Sequence, residues 1–292
     1  MQSWTQRQAE VAALAERQLF FVGGAPRSGT TWLQHILDAH PDICCRGEGH
    51  FLHFLAEPIG VAMQHRRTQL QGKNTRLFRD IGGYKLPAPE DVEFLVGSAI
   101  LTSLAQQCDG YPYPIVGEKT PENVFYFPNL KRLFPAAKFV GIARDPRDIL
   151  VSAWHFIPTE RRRGDKALQQ MPFIRDAAGA VGKFIDGMLA LRQRYPADAL
   201  IVTYEALLSQ PEATVAALYR FLGADDSPNI VADSIAATSF AAMAGRPAGI
   251  ENNGAFLRKG VAGDWRTHLT PEMNQVILRQ LGALFPQFGW EI

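Results

Sequence analysis

The 292-residue chain has only three cysteines, no apolar run of membrane-spanning length, no internal repeat and no low-complexity tract. Cys44, Cys45 and Cys108 are odd in number and two are adjacent, with no C-x-x-C spacing. That pattern argues against a disulfide framework or a thiolate zinc site, and small buried thiols in a reducing compartment are expected. The apolar stretches fall well short of the ~18–20 residues that cross a bilayer. The opening residues, MQSWTQRQAEVAALAERQ, lack the apolar segment of a secretory leader. They read as an amphipathic helix over residues 1–18, with Val11, Leu14 and Ala15 as its apolar side, so a soluble cytoplasmic protein is expected. An excess of one charge is missing too: 30 Lys and Arg face 29 Asp and Glu, a formal net charge of +1. A globally basic nucleic-acid binder is thereby excluded, and any anion site must be built locally.

The composition that is present, 47% hydrophobic and 20% charged, is that of a globular domain. Leu19–Gly24 is a short apolar run closed by glycines and suits a buried parallel strand. Thr30–Ala39 places Trp32, Leu33, Ile36 and Leu37 at helical spacing before His40-Pro41. Further strands are expected at Ile115–Gly117, Lys138–Ala143 and Ala199–Thr203, and helices at Pro121–Phe134, at Asp148–Phe156 and after Thr203. Strands alternating with helices predict one α/β domain over residues 1–292, with a mainly parallel sheet flanked by helices. Gly245–Gly263 reads as a long loop, and loops of that length are commonly functional.

Gly24-Ala25-Pro26-Arg27-Ser28-Gly29-Thr30-Thr31 joins the first strand to the first helix of this alternation. Successive backbone N–H groups and a helix N-terminus make such a turn an anion cradle, to which Thr30 and Thr31 add hydroxyls. The G-x4-G spacing is that of a Walker A loop, but Thr30 stands where Walker A requires Lys, and the positive charge sits inside the loop at Arg27. Arg144 sits just past the end of a strand, where ligands bind open α/β sheets, and Ser152 follows four residues after Asp148, inside the next helix. Arg258-Lys259-Gly260, followed by Gly263-Asp264-Trp265, is a candidate anion clamp on a flexible loop.

The run Pro26–Leu33 resembles the 5′-phosphosulfate loop of sulfotransferases that use 3′-phosphoadenosine 5′-phosphosulfate (PAPS). Residues 139–152 are similar to that family's 3′-phosphate motif, and RKGVAGDW at 258–265 resembles the RKGxxGDW motif of its cytosolic members. The resemblance runs over roughly residues 20–290. It implies a P-loop-type domain that binds PAPS through Arg27, Ser28, Gly29, Thr30, Thr31 and Trp32. It further implies contacts to the 3′-phosphate from Arg144, Ser152, Arg258, Lys259 and Gly260, and to adenine from Tyr204, Thr238 and Phe240, with Trp32 and Phe240 on opposite ring faces. No metal is required in that scheme. The two stretches where the resemblance is weakest, 54–114 and 157–198, are expected to be acceptor-side or lid insertions.

The implied reaction moves a sulfuryl group to an acceptor hydroxyl, less readily an amine, and releases adenosine 3′,5′-bisphosphate. Arg27 is the first choice for neutralising the leaving phosphate. Glu48 lies 21 residues after Arg27, in Gly47-Glu48-Gly49-His50-Phe51, the local context in which protein-tyrosine sulfotransferases carry their catalytic Glu. A carboxylate beside bound anions gains proton affinity, which suits a general base. His50 is the alternative base, and a metal site from Glu48, His50 and His53 matches no standard spacing. Glu118-Lys119-Thr120-Pro121 departs from the cytosolic Lys-Thr-His stretch by placing Pro121 where the His stands, while Lys119 remains available to the sulfuryl or bridging oxygen. Phe51, Phe54, His155, Phe156 and Phe173 are candidates for an acceptor rim or for core. Arg161-Arg162-Arg163 reads as a solvated face or an attractor of acidic acceptors. A small molecule, a sugar or a tyrosyl side chain fits as acceptor. A P-loop kinase or NTPase and a non-catalytic binder of adenosine bisphosphate are the competing readings.

Overall fold

A computed structural model describes residues 3–79, 81–158, 169–252 and 255–292, so Arg161–Arg163 lie outside the described residues. Helix α1 (Trp4–Ala15) starts on a reciprocal cap between Ser3 and Gln6. It buries Leu14 and half-buries Val11, while Ala15 stays exposed. Strands β1 (Gln18–Gly23), β2 (Ile43–Cys45), β3 (Ile115–Lys119), β4 (Lys138–Ala143) and β5 (Ala199–Thr203) form one sheet in the order β2-β3-β1-β4-β5, every neighbouring pair parallel.

The central strand β1 is apolar at successive positions because both of its faces are covered. Phe20 and Val22 pack under α2 (Thr30–Asp38), against Leu33, Ile36 and Leu37. Phe21 points the other way, into a core shared with α4 (Pro89–Gln107) and α5 (Asn123–Leu133). The helix after β1 and the helix after β4, α6 (Pro146–Phe156), lie on opposite faces. The chain ends of β1 and β4 therefore border a crevice at the carboxyl edge of the sheet, the place where such folds take ligands.

The expected strands and helices are present, β4 and β5 with the expected ends and the others with shifted ones, and several elements went unanticipated. Strand β2 is only three residues long, too short for a periodicity, and buries Cys44 and Cys45 on opposite faces. All three cysteines are buried and free. Strand β3 runs two residues beyond its apolar part because Glu118 and Lys119 are buried with polar partners. The stretch 54–114 holds α4 and α3 (Glu57–Arg76), and α3 buries none of its residues. The stretch 157–198 contains α7 (Gln170–Arg194), a core helix that buries Ile174, Ile185 and Met188. Phe51, offered as rim or core, is core; Phe173 packs against it, while Phe54 and Phe156 are exposed. After β5 come α8 (Tyr204–Ser209), α9 (Pro211–Leu222), α10 (Pro228–Ala237) and α11 (Phe240–Ala244). The described part of 245–263 has no helix or strand, and α12 (Trp265–His268) and α13 (Pro271–Leu281) follow it. Among the described residues no helix is long and apolar enough to cross a membrane.

The start of α6 is fixed by a buried charge network. Asp145 caps the helix by accepting from the Arg147 N–H at 2.9 Å, and it receives the Arg147 guanidinium through Nε at 2.9 Å and Nη2 at 2.7 Å. That guanidinium also donates to the Glu291 carbonyl at 2.7 Å and stacks 3.8 Å from the Trp265 ring centre. Glu205 accepts from the Asp145 N–H at 3.0 Å and from Trp290 Nε1 at 3.2 Å, closing the network onto the last turn of the chain. Removing one partner of a buried pair strands the other, so Arg147→Ala is expected to lower stability by about 3–5 kcal/mol in urea unfolding. A loss under about 1 kcal/mol would show that Asp145 is held by its backbone contacts alone.

Candidate active site

The loop Gly24–Thr31 is built from backbone angles that its sequence permits. Gly29 caps α2 at φ 103°, and a Cβ there would meet Tyr204 Cδ2 at 2.7 Å, so only glycine fits. Arg27 itself takes a left-handed φ of 73°. The end of β3 is stitched to this loop: the Thr120 N–H donates to the Val22 carbonyl at 3.2 Å, and the Gly24 N–H to the Pro121 carbonyl at 3.2 Å. Groups at the end of β3 are therefore held beside the loop on one side, and groups at the end of β4 on the other.

On the β4 side lies a cavity of about 340 Å³ lined by every expected donor-binding residue except Ser28. Arg27, Arg144 and Arg258 all face it. Burial, and then the charges of Arg144 and Arg258, lower the proton affinity of Arg27. Arg27, expected at the leaving phosphate, here donates through Nε to Ser152 Oγ at 3.3 Å and through Nη2 to the Phe256 carbonyl at 2.7 Å. Its guanidinium lies between the Phe156 and Phe256 rings, 4.6 and 4.7 Å from their centres. Arg144 donates to the carbonyls of Arg27 at 3.3 Å and Val261 at 2.9 Å, and covers the Tyr204 ring at 4.1 Å. Arg258 is held by Glu251 at 2.7 Å and by Asp264, which also takes Lys259. Burial works against the charge of Asp264, yet these two cations keep its carboxyl below the usual carboxylate range. Three buried polar atoms of these segments, Ser28 Oγ, Arg144 Nε and Arg258 Nε, have no hydrogen-bond partner among the described residues. A buried polar atom without a partner is costly, and an anionic ligand supplies acceptors for the two guanidinium atoms.

Aromatic rings close the cavity's far end. Trp32 meets Tyr204 edge-on at 5.3 Å and donates from Nε1 to the Thr238 carbonyl at 3.0 Å. The Thr238 hydroxyl is turned away, to the Ser234 carbonyl at 2.7 Å, so this residue shapes the wall through its backbone. Gly260, at φ 70°, lets the loop approach Phe240.

On the β3 side Lys119 and Glu48 form an ion pair, with the Lys119 side chain 3% exposed. In register Lys119 lies beside Val22, two residues before the loop begins. The other Glu48 oxygen is 3.4 Å from His50 Nε2, whose Nδ1 is 3.8 Å from Glu122. His53 pairs with Glu57 at 3.4 Å. The residues that place Glu48 were not anticipated. Glu118, fully buried, accepts from the Gly49 N–H at 3.1 Å, Thr120 Oγ1 at 2.8 Å and Asn123 Nδ2 at 2.7 Å. Thr120 Oγ1 in turn accepts from the His50 N–H at 3.1 Å. Burial raises the proton affinity of Glu118, and its three donors oppose that shift. Asp148 was also unassigned: it takes the N–H groups of Gly263 at 2.7 Å and Trp265 at 2.9 Å, which fixes the Arg258 loop to α6. The sequence carried no signal for Glu118 beyond its place next to Lys119.

A family model described as Sulfotransferase family matches residues 20–228. The chain is 29% identical over 221 residues to protein-tyrosine sulfotransferase 2 of Gallus gallus, covering 74% of this chain and 54% of that protein. It is 29% identical over 172 residues to sulfotransferase 2B1 of Rattus norvegicus, covering 53% and 50%. Among curated relatives of this kind the match spans 32–65% of the relative's length. In structure the chain is similar to mouse sulfotransferase SULT7A1 complexed with PAP, with TM-score 0.57 and 18% identity over 96% of this chain and 90% of that one. It is also similar to sulfotransferase STF9 from Mycobacterium avium, with TM-score 0.56 and 16% identity over 99% and 81%. These likenesses bear out the expected α/β fold.

A Cβ at Gly260 would stand 2.2 Å from Phe240 Cδ2. Gly260→Ala is expected to cost about 1–3 kcal/mol from overpacking and the left-handed backbone together. In a Phe240→Ala background the steric part disappears, so urea unfolding of the double variant should show a cost below the sum of the two. Additive costs would mean that the loop moves aside freely.

Proposed function

The chain belongs to the sulfotransferase family, and on that premise we propose that it transfers a sulfuryl group from PAPS to an acceptor hydroxyl, releasing adenosine 3′,5′-bisphosphate. The observation that carries this reading is the single cavity where Arg27, Arg144 and Arg258 converge beside Trp32, Tyr204 and Phe240. Buried cations facing one space call for a polyanion, and the rings beside them suit a flat base. The unpartnered Nε atoms of Arg144 and Arg258 fit that ligand. A triphosphate with Mg²⁺ is served less well, because the loop has Thr30 at the Walker A lysine position.

In the proposed reaction the acceptor oxygen attacks sulfur as the bond from sulfur to the 5′-phosphate oxygen breaks. Glu48 takes the acceptor's proton, and Lys119 and Arg27 neutralise the charge that develops on the departing phosphate. Positioning and charge stabilisation dominate such a transfer. Lys119 pairs with Glu48 beside the loop, so turning its ammonium toward the departing oxygen frees the carboxylate to act as base. Arg27 reaches the same oxygen by exchanging Ser152 and the Phe256 carbonyl, both of which line the cavity. His50, between Glu48 and Glu122, is the alternative base or the proton's next station. The acceptor is a hydroxyl on a small molecule, a sugar or a tyrosyl side chain, the last in keeping with the name of the Gallus gallus relative.

Calorimetric titration with adenosine 3′,5′-bisphosphate, beside ATP with Mg²⁺, tests the donor. Tight metal-independent binding of the bisphosphate is expected, and preference for Mg-ATP would overturn the reading. Arg258→Ala should weaken bisphosphate binding by about 10- to 100-fold, the loss of a charge-assisted hydrogen bond, and leave adenosine 5′-phosphosulfate little affected. An equal loss for both nucleotides removes the 3′-phosphate assignment. Glu48→Ala should lower kcat by about 10²–10⁴ with bisphosphate affinity kept. Collapse of nucleotide binding in that variant would make Glu48 structural.

A further inference from the structure

His155 on α6 and His268 on α12 are 113 residues apart in sequence, yet their ring nitrogens, His155 Nε2 and His268 Nδ1, lie 3.4 Å from one another. The rings meet at 73°, so both nitrogens can aim at one point between them without stacking. Glu251, in the loop before Arg258, joins them: one nitrogen of each ring and one Glu251 carboxylate oxygen all lie within 4.8 Å of one another. Bonds of ~2.0–2.1 Å around a tetrahedral ion set neighbouring ligand atoms roughly 3.3–3.5 Å apart. The two nitrogens already stand at that spacing.

The surroundings of His268 add a second, independent indication. Its other nitrogen, Nε2, faces Asp264 Oδ2 at 3.3 Å. A proton on Nε2, shared with that carboxylate, leaves the lone pair on Nδ1, directed at His155. A carboxylate behind an imidazole is the arrangement that orients histidine ligands and raises their basicity at metal centres. We propose that His155, His268 and Glu251 bind one divalent transition-metal ion, with Zn²⁺ the ion best matched to two imidazoles and a carboxylate. Water or an oxyanion takes the fourth position.

The site shares its carboxylates with the cationic arm of the large cavity. Glu251 also accepts from Arg258, and Asp264 also holds Arg258 and Lys259. An ion that engages Glu251 loosens one tether of Arg258 and adds two positive charges beside it, so an anion facing Arg258 is held more tightly. This coupling, unlike the site itself, rests on the donor reading given above. Linkage requires that nucleotide and metal strengthen each other's binding by the same factor.

The full chain, stripped of metal with chelator, would be titrated with Co²⁺ and then Zn²⁺. One equivalent of Co²⁺ should give the visible absorption of a four- or five-coordinate centre, bleached by Zn²⁺. His155→Gln and His268→Gln should each weaken uptake by more than the roughly 10- to 100-fold that an outer-shell partner costs. Glu251→Gln keeps the shape of a partly covered side chain and serves where the histidine variants misfold; Zn²⁺ should raise the unfolding midpoint of the unaltered protein and raise it less in this variant. No stoichiometric uptake would overturn the proposal. So would uptake unchanged in the histidine variants, which would assign the ion elsewhere, such as His53 with Glu57. Repeating the titration with adenosine 3′,5′-bisphosphate present should tighten Zn²⁺ binding at least about fivefold. No tightening would overturn the coupling, whereas failure of the bisphosphate to bind without metal is a failure of the donor reading alone.

Discussion

Three guanidinium groups brought around one cavity are the constraint on which the rest of this site depends. Arg144 and Arg258 are each 8% exposed, and burial with mutual repulsion already weakens the hold of Arg27 on its proton. Cations in that position persist only where oxygen atoms meet them from fixed directions. The carbonyls of Arg27, Val261 and Phe256 do so, and so do the carboxylates of Glu251 and Asp264. Each of those oxygens sits on a segment that is otherwise without helix or strand. The cations thus order the loops as much as the loops place the cations.

Asp148 shows how this order is transmitted from the sheet. It lies in the first turn of the helix that follows β4, fully buried, 3.8 Å from Arg144. Its two oxygens accept the N–H groups of Gly263 and Trp265, so the loop carrying Arg258 and Lys259 is tied to the same helix start as Arg144. Burial raises the proton affinity of Asp148, and the Arg144 charge and these N–H groups counter it. The helix start after β4 therefore sets the position of a loop more than 100 residues later in the chain, through one side chain.

Much of this was legible in the sequence, and for identifiable reasons. Leu19–Gly23 announces a buried strand because apolar residues fill both faces, and Thr30–Asp38 announces a helix because Leu33, Ile36 and Leu37 share one face. The residues matched to nucleotide motifs, Ser28 apart, do line one cavity, Arg27, Arg144 and Tyr204 from just beyond strand ends and Arg258–Gly260 from the loop tied to α6. What stayed hidden depends on pairing across the chain. The strand was expected to stop at Gly117, but partners on the 47–50 loop draw Glu118 and Lys119 inside. Strand β2 is too short to show a period, and Phe51 was ambiguous until its neighbours in the core were known. His155 and His268 carry no local signal, because their meeting is a property of α6 and α12 together.

The site is divided by β1. The cavity with its guanidinium groups belongs to the ends of β1, β4 and β5 and to the C-terminal loop, whereas the Lys119–Glu48 pair belongs to the ends of β2 and β3. The two halves meet at the start of the loop from Gly24 to Thr31, where the Gly24 N–H donates to the Pro121 carbonyl. Such a division lets substitutions on the β2–β3 side alter the Lys119–Glu48 pair while the wall of guanidinium groups on the other side is left untouched.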